Sequence, residues 1–209
     1  MSNKVMFLIS AQLQSGKDVF GAALAKAAKA VTVALASPVK EVAISMLGMP
    51  AAIAYGGEKE RRAWKRYCKD RPACPNETHD ACTDAREWLQ WVGTELGRLQ
   101  IDENVWVHRL FERAPSYATQ TIVVTDARFR NELGLTAAVA RENAKLEHPY
   151  RFVTVRLKRP GMENSLEHAS EKEQTEIPDS AFNEVVINDG TLQDLASKAQ
   201  IIAKKHLAS

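Results

Sequence analysis

Residues 4–21 constrain this chain more than any other stretch. Five apolar residues, Val5 to Ile9, stand between Lys4 and Ser10, the pattern of a short buried strand. Ala11-Gln12-Leu13-Gln14-Ser15-Gly16-Lys17-Asp18 follows, and then an alanine-rich helical segment over 19–30. Strand, small-residue loop, Gly-Lys and helix together make an arrangement that gathers phosphate oxygens. The loop's backbone N–H groups and the helix N-terminus do the gathering, and the lysine supplies a mobile charge. Two positions depart from the GxxxxGK[ST] pattern. Ala11 stands at the first glycine, and Asp18 stands where a hydroxyl would meet magnesium. Alanine needs only a negative φ there, and a carboxylate is a good ligand for a hard cation, directly or through water. Gln14, Ser15, Gly16, Lys17, Asp18 and Val19 are thus the candidate phosphate-binding residues, with Asp18 the candidate metal ligand.

A length of 209 residues is most simply one domain, 1–209, large enough to bury a core. A net charge of +2 gives no bulk electrostatic case for nucleic acid or for an anionic membrane. No apolar run is long enough to span a bilayer, and the opening residues do not read as a signal peptide. Three cysteines, an odd number, do not suggest a disulfide framework. The expectation is a cytoplasmic protein whose partners are small molecules, with a homodimer left open.

Strands and helices alternate beyond the loop. Residues 30–36 (AVTVALA) read as a second strand, and Ser37-Pro38 as the cap and first position of a helix. That helix carries Val39, Val42, Ala43, Met46 and Leu47 on one face. Lys40 lies in its first turn, where a cation is unfavourable unless an anion is near; a solvated lysine is the plainer alternative. Residues 55–83 are the least regular part, with seven Lys or Arg between 59 and 71 that would make a local anion-facing patch. Cys68, Cys74, His79 and Cys82 suit tetrahedral zinc by ligand type. Their spacing, C-x5-C-x4-H-x2-C, matches no standard ligand pattern, and a loop of reduced cysteines reads equally well.

Asp84 should cap a helix running to about residue 98, with Trp88, Val92, Leu96 and Leu99 as its apolar stripe. Arg86, Gln90, Gly93 and Gly97 share another face, with Thr94 beside them. Two glycines inside a helix cost roughly 1 kcal/mol each relative to alanine, so something should approach that face closely, either a helix or a ligand. A helix over 104–113 places Trp106, Val107, Leu110 and Phe111 inward. Residues 121–125 (TIVVT) read as a third strand leading into Asp126 and Arg128. An acid and an arginine at a strand's carboxyl end are suited to magnesium-bound or free phosphates. A helix over 131–145, a strand over 151–158, a polar segment through 177, a strand over 182–187 and a helix over 192–207 complete the chain. The pattern predicts an α/β fold, a mainly parallel five-stranded sheet with helices on both faces.

These blocks together resemble the deoxynucleoside monophosphate kinases of tailed bacteriophages, within the P-loop kinase superfamily. The resemblance is carried by Ser15-Gly16-Lys17-Asp18, Leu35-Ala36-Ser37-Pro38-Val39-Lys40, Arg86 through Glu95, Asp126-Ala127-Arg128, Arg159-Pro160-Gly161, His168-Ala169-Ser170-Glu171 and Asn188-Asp189-Gly190. It does not cover residues 55–83. It implies transfer of the γ-phosphoryl group of ATP, with Mg2+, to a deoxynucleoside 5′-monophosphate. Lys17, Asp126, Arg128 and Arg159 would then be catalytic. Arg159, Asn188 and Gly190 would join the loop in binding ATP, the last two bordering adenine. Ser37, Lys40, Arg86, Gln90, Thr94, Arg128 and His168 would bind the acceptor. Residues 37–115 would form a helical monophosphate-binding region, and 159–177 a lid. Other small-molecule kinases of the superfamily, such as those resembling phosphomevalonate or dephospho-coenzyme A kinase, share the loop and the sheet. A nucleic-acid-binding module built on the basic 59–71 stretch is a third reading, opposed by the near-neutral charge.

Overall fold

The computed structural model describes residues 4–12, 14–67, 82–117, 121–161, 174 and 176–208. The chain divides into two compact units, one made of Met1–Leu35 with Val107–Ser209, the other of Ala36–Trp106. The first holds a five-stranded sheet: β1 (Val5–Ala11), β2 (Val31–Val33), β3 (Thr121–Val124), β4 (Arg151–Lys158) and β5 (Glu184–Ile187). The strand order is β2-β3-β1-β4-β5, and every pairing is parallel.

β1 is the central strand, with Phe7 opposite Val123 on one side and Val153 on the other. Residues Val5 to Ile9 are all at most 2% exposed. Val5, Phe7 and Ile9 join a core with Phe20 and Leu24 of α1 (Lys17–Ala28) and with Leu195, Ala199 and Ile202 of the closing helix. The opposite face of the sheet is covered as well, since Phe111 stacks on Phe152 of β4 with ring centroids 6.3 Å apart. Burial on both faces is why β1 reads as an unbroken apolar run rather than an alternating one. From β1 the chain runs through α1 to β2 on one side of the sheet, whereas β4 leads to β5 on the other. The loops after β1 and β4 therefore diverge at adjacent strand ends, the place where open parallel sheets bind ligands.

The second unit is helical: α2 (Ala36–Leu47), α3 (Ala51–Ala54), α4 (Glu58–Ala63), α5 (Ala85–Trp91) and a π-helix over Val92–Ile101. α6 (Val105–Arg113) leads back into the first unit, which also holds α7 (Ala137–Ala144) and, last in the chain, α8 (Leu192–Leu207).

Several elements differ from the sequence reading. β2 is only three residues long, and α2 already begins at Ala36, which puts Ser37 and Pro38 inside its first turn rather than at its cap. The cause lies at Leu35, whose N–H donates to Asp126 Oδ1 at 2.8 Å and so ends the strand early. Met46, expected on the buried face of α2, is 50% exposed. Glu58–Ala63 forms a short helix within the stretch expected to be least regular. Asp84 does cap α5, in a capping box with Glu87, but from Val92 the helix widens to the π form. A wider turn rotates the apolar stripe, so Leu99 is 71% exposed while Arg98 is buried. The helix expected over 131–145 shortens to α7, because Gly134 adopts φ 70° against Phe152 and Thr136 restarts the helix as its N-cap. The fifth strand starts two residues late, since the Asn183 side chain is taken up by Thr154 of β4.

Candidate functional site: the loop after β1

The loop runs from the end of β1 into α1 through two left-handed residues, Gln14 at φ 61° and Gly16 at φ 92°. Gly16 is the N-cap of α1, and no side chain caps that end, so the first-turn N–H groups are served by no cap of their own. Ser15 is 1% exposed, and its hydroxyl donates to Gln12 O at 2.7 Å, closing the loop on itself. Lys17 starts α1 and donates to Asp18 Oδ1 at 2.8 Å; the Asp18 side chain is 84% exposed. Val19 is exposed beside them.

Two segments reach this loop from the β4–β5 side of the sheet. Arg159, just past β4, donates to Gln14 O at 3.3 Å and is otherwise exposed. Asn188, just past β5, donates through Nδ2 to Ser15 O at 2.9 Å. The turn that carries Asn188 is itself fixed. Lys198 of α8 donates to Asp189 Oδ1 at 2.9 Å, and this bond holds the Asp189 carboxyl below its ordinary range. Gly190 packs against the α8 cap, where an added Cβ would sit 2.8 Å from Asp194 Oδ2. Asp194 is likewise held low, chiefly by its bonds to the Thr191 hydroxyl and N–H.

Asp126 and Arg128 lie at the carboxyl end of β3, next to β1, as the Ala127 N–H donating to Ile9 O at 3.1 Å shows. One Asp126 oxygen is committed to Leu35. The backbone N–H groups of Arg128 and Phe129 donate to Glu132 Oε2, so Glu132 shapes the turn that presents Arg128.

The remaining candidates stand in the helical unit. Arg86 is half-buried and donates to Glu58 Oε1 at 3.1 Å. Gln90 and Thr94 are half-buried. The two glycines of their face are explained by packing: the Trp106 indole lies where a Gly97 Cβ would meet Cζ2 at 2.3 Å, and Val39 lies 3.6 Å from a Gly93 Cβ. Trp106 also donates its indole N–H to Gly93 O at 2.7 Å. Lys40 is half-buried, with its ammonium over the Tyr55 ring at 4.6 Å, a cation–π contact that the sequence did not disclose. Ser37 is half-buried in the first turn of α2.

His168 and most of the 159–177 segment lie outside the described residues, as do Cys68, Cys74 and His79. Cys82 is buried. Among the described residues no group of three or more His, Cys, Asp or Glu is gathered as a metal site, and no helix is long and apolar enough to cross a membrane. Sequence reasoning missed the partners Glu58, Tyr55 and Glu132, and it missed the contact of Asn188 with the loop. Strand order and helix packing bring together the pairs of Glu58, Tyr55 and Asn188, while Glu132 closes a local turn three and four residues from its partners.

No model of a known protein family matches the chain, and no curated protein matches it. Among solved structures, it is similar to an unliganded sugar kinase from Janibacter sp. HTCC2649 at 14% identity, covering 98% of this chain and 97% of that one, with a TM-score of 0.43. So loose an overlap, at so low an identity, adds nothing to the chemistry carried by the residues themselves.

Proposed function

We propose that this protein is an ATP-dependent phosphotransferase whose acceptor is a deoxynucleoside 5′-monophosphate. The observation that supports it most is the loop after β1. A left-handed Gly16 opens α1, Lys17 stands at its first position, and Arg159 reaches in from β4 at the divergence of the two strand ends. Phosphoryl transfer asks a protein for positioning and charge neutralisation more than for covalent chemistry. In this reading the first-turn amides of α1 and Lys17 hold the ATP phosphates, and Arg159 neutralises charge on the transferring group.

Magnesium is usually bound by one or two carboxylates together with substrate phosphates. Asp18 fits that need, presenting an exposed hard oxygen donor in the first turn of α1. When bound, the ion would neutralise phosphate charge. Arg86 and Arg128 are assigned to the acceptor phosphate, with Ser37, Lys40, Gln90, Thr94 and His168 as further acceptor residues. Asp126, whose Oδ1 accepts the Leu35 N–H, would help hold magnesium or orient the acceptor.

A second reading, a small-molecule kinase with another acceptor, uses the same loop. It is favoured by the packing of Trp106 and Val39 onto Gly97 and Gly93, since those glycines then need no base to explain them. One assay separates the two. Offered ATP with Mg2+ and each of the four common deoxynucleoside monophosphates in turn, the protein should form ADP and the matching diphosphate with at least one. Transfer to none of them, with ATP still bound, would reject the nucleotide acceptor and leave the second reading.

A further inference from the structure

The phosphate-cradling loop has a neighbour whose geometry suits a different task from bordering adenine. Asn188 extends the β4–β5 ladder by donating its backbone N–H to Lys158 O at 2.7 Å. Its side chain donates to Ser15 O at 2.9 Å, across 173 positions of sequence. A carbonyl oxygen can only accept, so the amide must present its NH2 end there. In a trans peptide the C=O and N–H point in opposite directions, and among the described residues no peptide bond is cis. Fixing Ser15 O therefore aims the Gly16 N–H away from Asn188.

The neighbouring carbonyls of the loop are held in the same manner. Gln12 O accepts from both the Ser15 hydroxyl and the Ser15 N–H, and Gln14 O accepts from Arg159. With the Ser15 N–H spent inside the loop, the Gly16 N–H and the uncapped first-turn amides of α1 are the donors this end offers to an anion. Gly16 is fitted to this contact: a Cβ on it would lie 2.7 Å from Asn188 Nδ2 and 3.1 Å from Leu195 Cδ2.

We propose that Asn188 is a positioning residue for triphosphate binding, which locks the Ser15–Gly16 peptide so that the Gly16 N–H faces the phosphates. The inference rests on the phosphotransferase reading above and assigns Asn188 to the phosphate end of the nucleotide through the loop. A bond that served stability alone would lower the melting temperature and leave anion affinity as it was.

The test uses the full chain with Asn188→Ala, which removes the donor, and Asn188→Asp, which keeps the shape but offers only acceptors. Calorimetric titrations with ATP and with inorganic triphosphate, alongside thermal melts, give the readouts. Both probes should weaken by the same factor, roughly tenfold for the loss of one ordering hydrogen bond in Asn188→Ala. Asn188→Asp should weaken them further, because a carboxylate would face both Ser15 O and the incoming phosphates. Weakening of ATP with triphosphate unaffected would return Asn188 to the adenine and overturn the inference. So would a lowered melting temperature with both affinities unchanged. A wild-type chain that binds neither probe would reject the phosphotransferase reading itself, and the inference with it; normal wild-type binding with unaffected variants would reject the inference alone.

Discussion

Lys17 and Asp18 are bonded to each other at 2.8 Å, yet the aspartate is open to solvent. An exposed ion pair of this kind is worth little, at most about 1 kcal/mol. A polyanion can thus draw Lys17 away cheaply while Asp18 is left to face a cation. Asp126 is a different case, because its Oδ1 accepts the Leu35 N–H where β2 gives way to α2. Replacing Asp126 with Ala should destabilise the fold by roughly 1–3 kcal/mol, the cost of a backbone donor left without its partner. Urea unfolding would measure it, and an unchanged midpoint would mean that the bond contributes nothing. Arg128, on the turn shaped by Glu132, is assigned to the acceptor. Arg128→Ala should raise the acceptor KM far more than the ATP KM in steady-state assays; the opposite split would mean that it serves ATP. At this scale the loop residues were legible because their chemistry is local. The partners Glu58 and Tyr55 were not, since each meets its mate only through helix packing, whereas Glu132 closes a local turn onto Arg128 and Phe129 that went unread.

Among the elements, the stretch from Ala85 to Ile101 separates what periodicity reveals from what it conceals. The Asp84 cap and the buried Trp88 and Val92 follow from a 3.6-residue repeat. The change to a π-helix breaks that repeat, and so Leu99 emerges into solvent where a stripe had been expected. Glycines 93 and 97 did signal a close approach, but sequence alone could not say by what. Trp106 supplies the answer at Gly97, and its indole N–H then satisfies Gly93 O. Gly97→Ala should accordingly destabilise the protein by about 1–3 kcal/mol, the usual cost of overfilling a packed site. Denaturant melts would show it. A variant of unchanged stability but weakened acceptor binding would instead make that face a ligand surface. The strands fared better: β4 starts and ends where its sequence pattern does, whereas β2 and β5 were overestimated because side-chain bonds from Asp126 and Asn183 replace ladder pairing there.

For the molecule as a whole, alternation of strands and helices was enough to predict a parallel five-stranded sheet, because parallel strands require crossover connections. The order β2-β3-β1-β4-β5 was not legible, and it is this order that puts Arg159 beside the loop after β1. Acid sensitivity should trace in part to Asp179, which bonds Lys158 at 2.5 Å and the buried Arg156 at 2.8 Å. Those bonds, to Lys158 first and then Arg156, hold its carboxyl below the ordinary value. A carboxyl lowered on folding adds stability that is complete above its unfolded pKa, about 4, and is lost as the pH falls through the folded value. The difference in melting temperature between wild type and Asp179→Asn should therefore be full near neutrality and shrink below about pH 4. A constant difference across that range would remove Asp179 from the acid response. The central claim is that the loop closed by Gly16 and Lys17 is where a nucleoside triphosphate is held for transfer, and Lys17→Ala tests it most directly. Steady-state transfer of the γ-phosphoryl group of ATP by this variant should nearly vanish while circular dichroism stays that of the wild type, and near-wild-type turnover would contradict the claim.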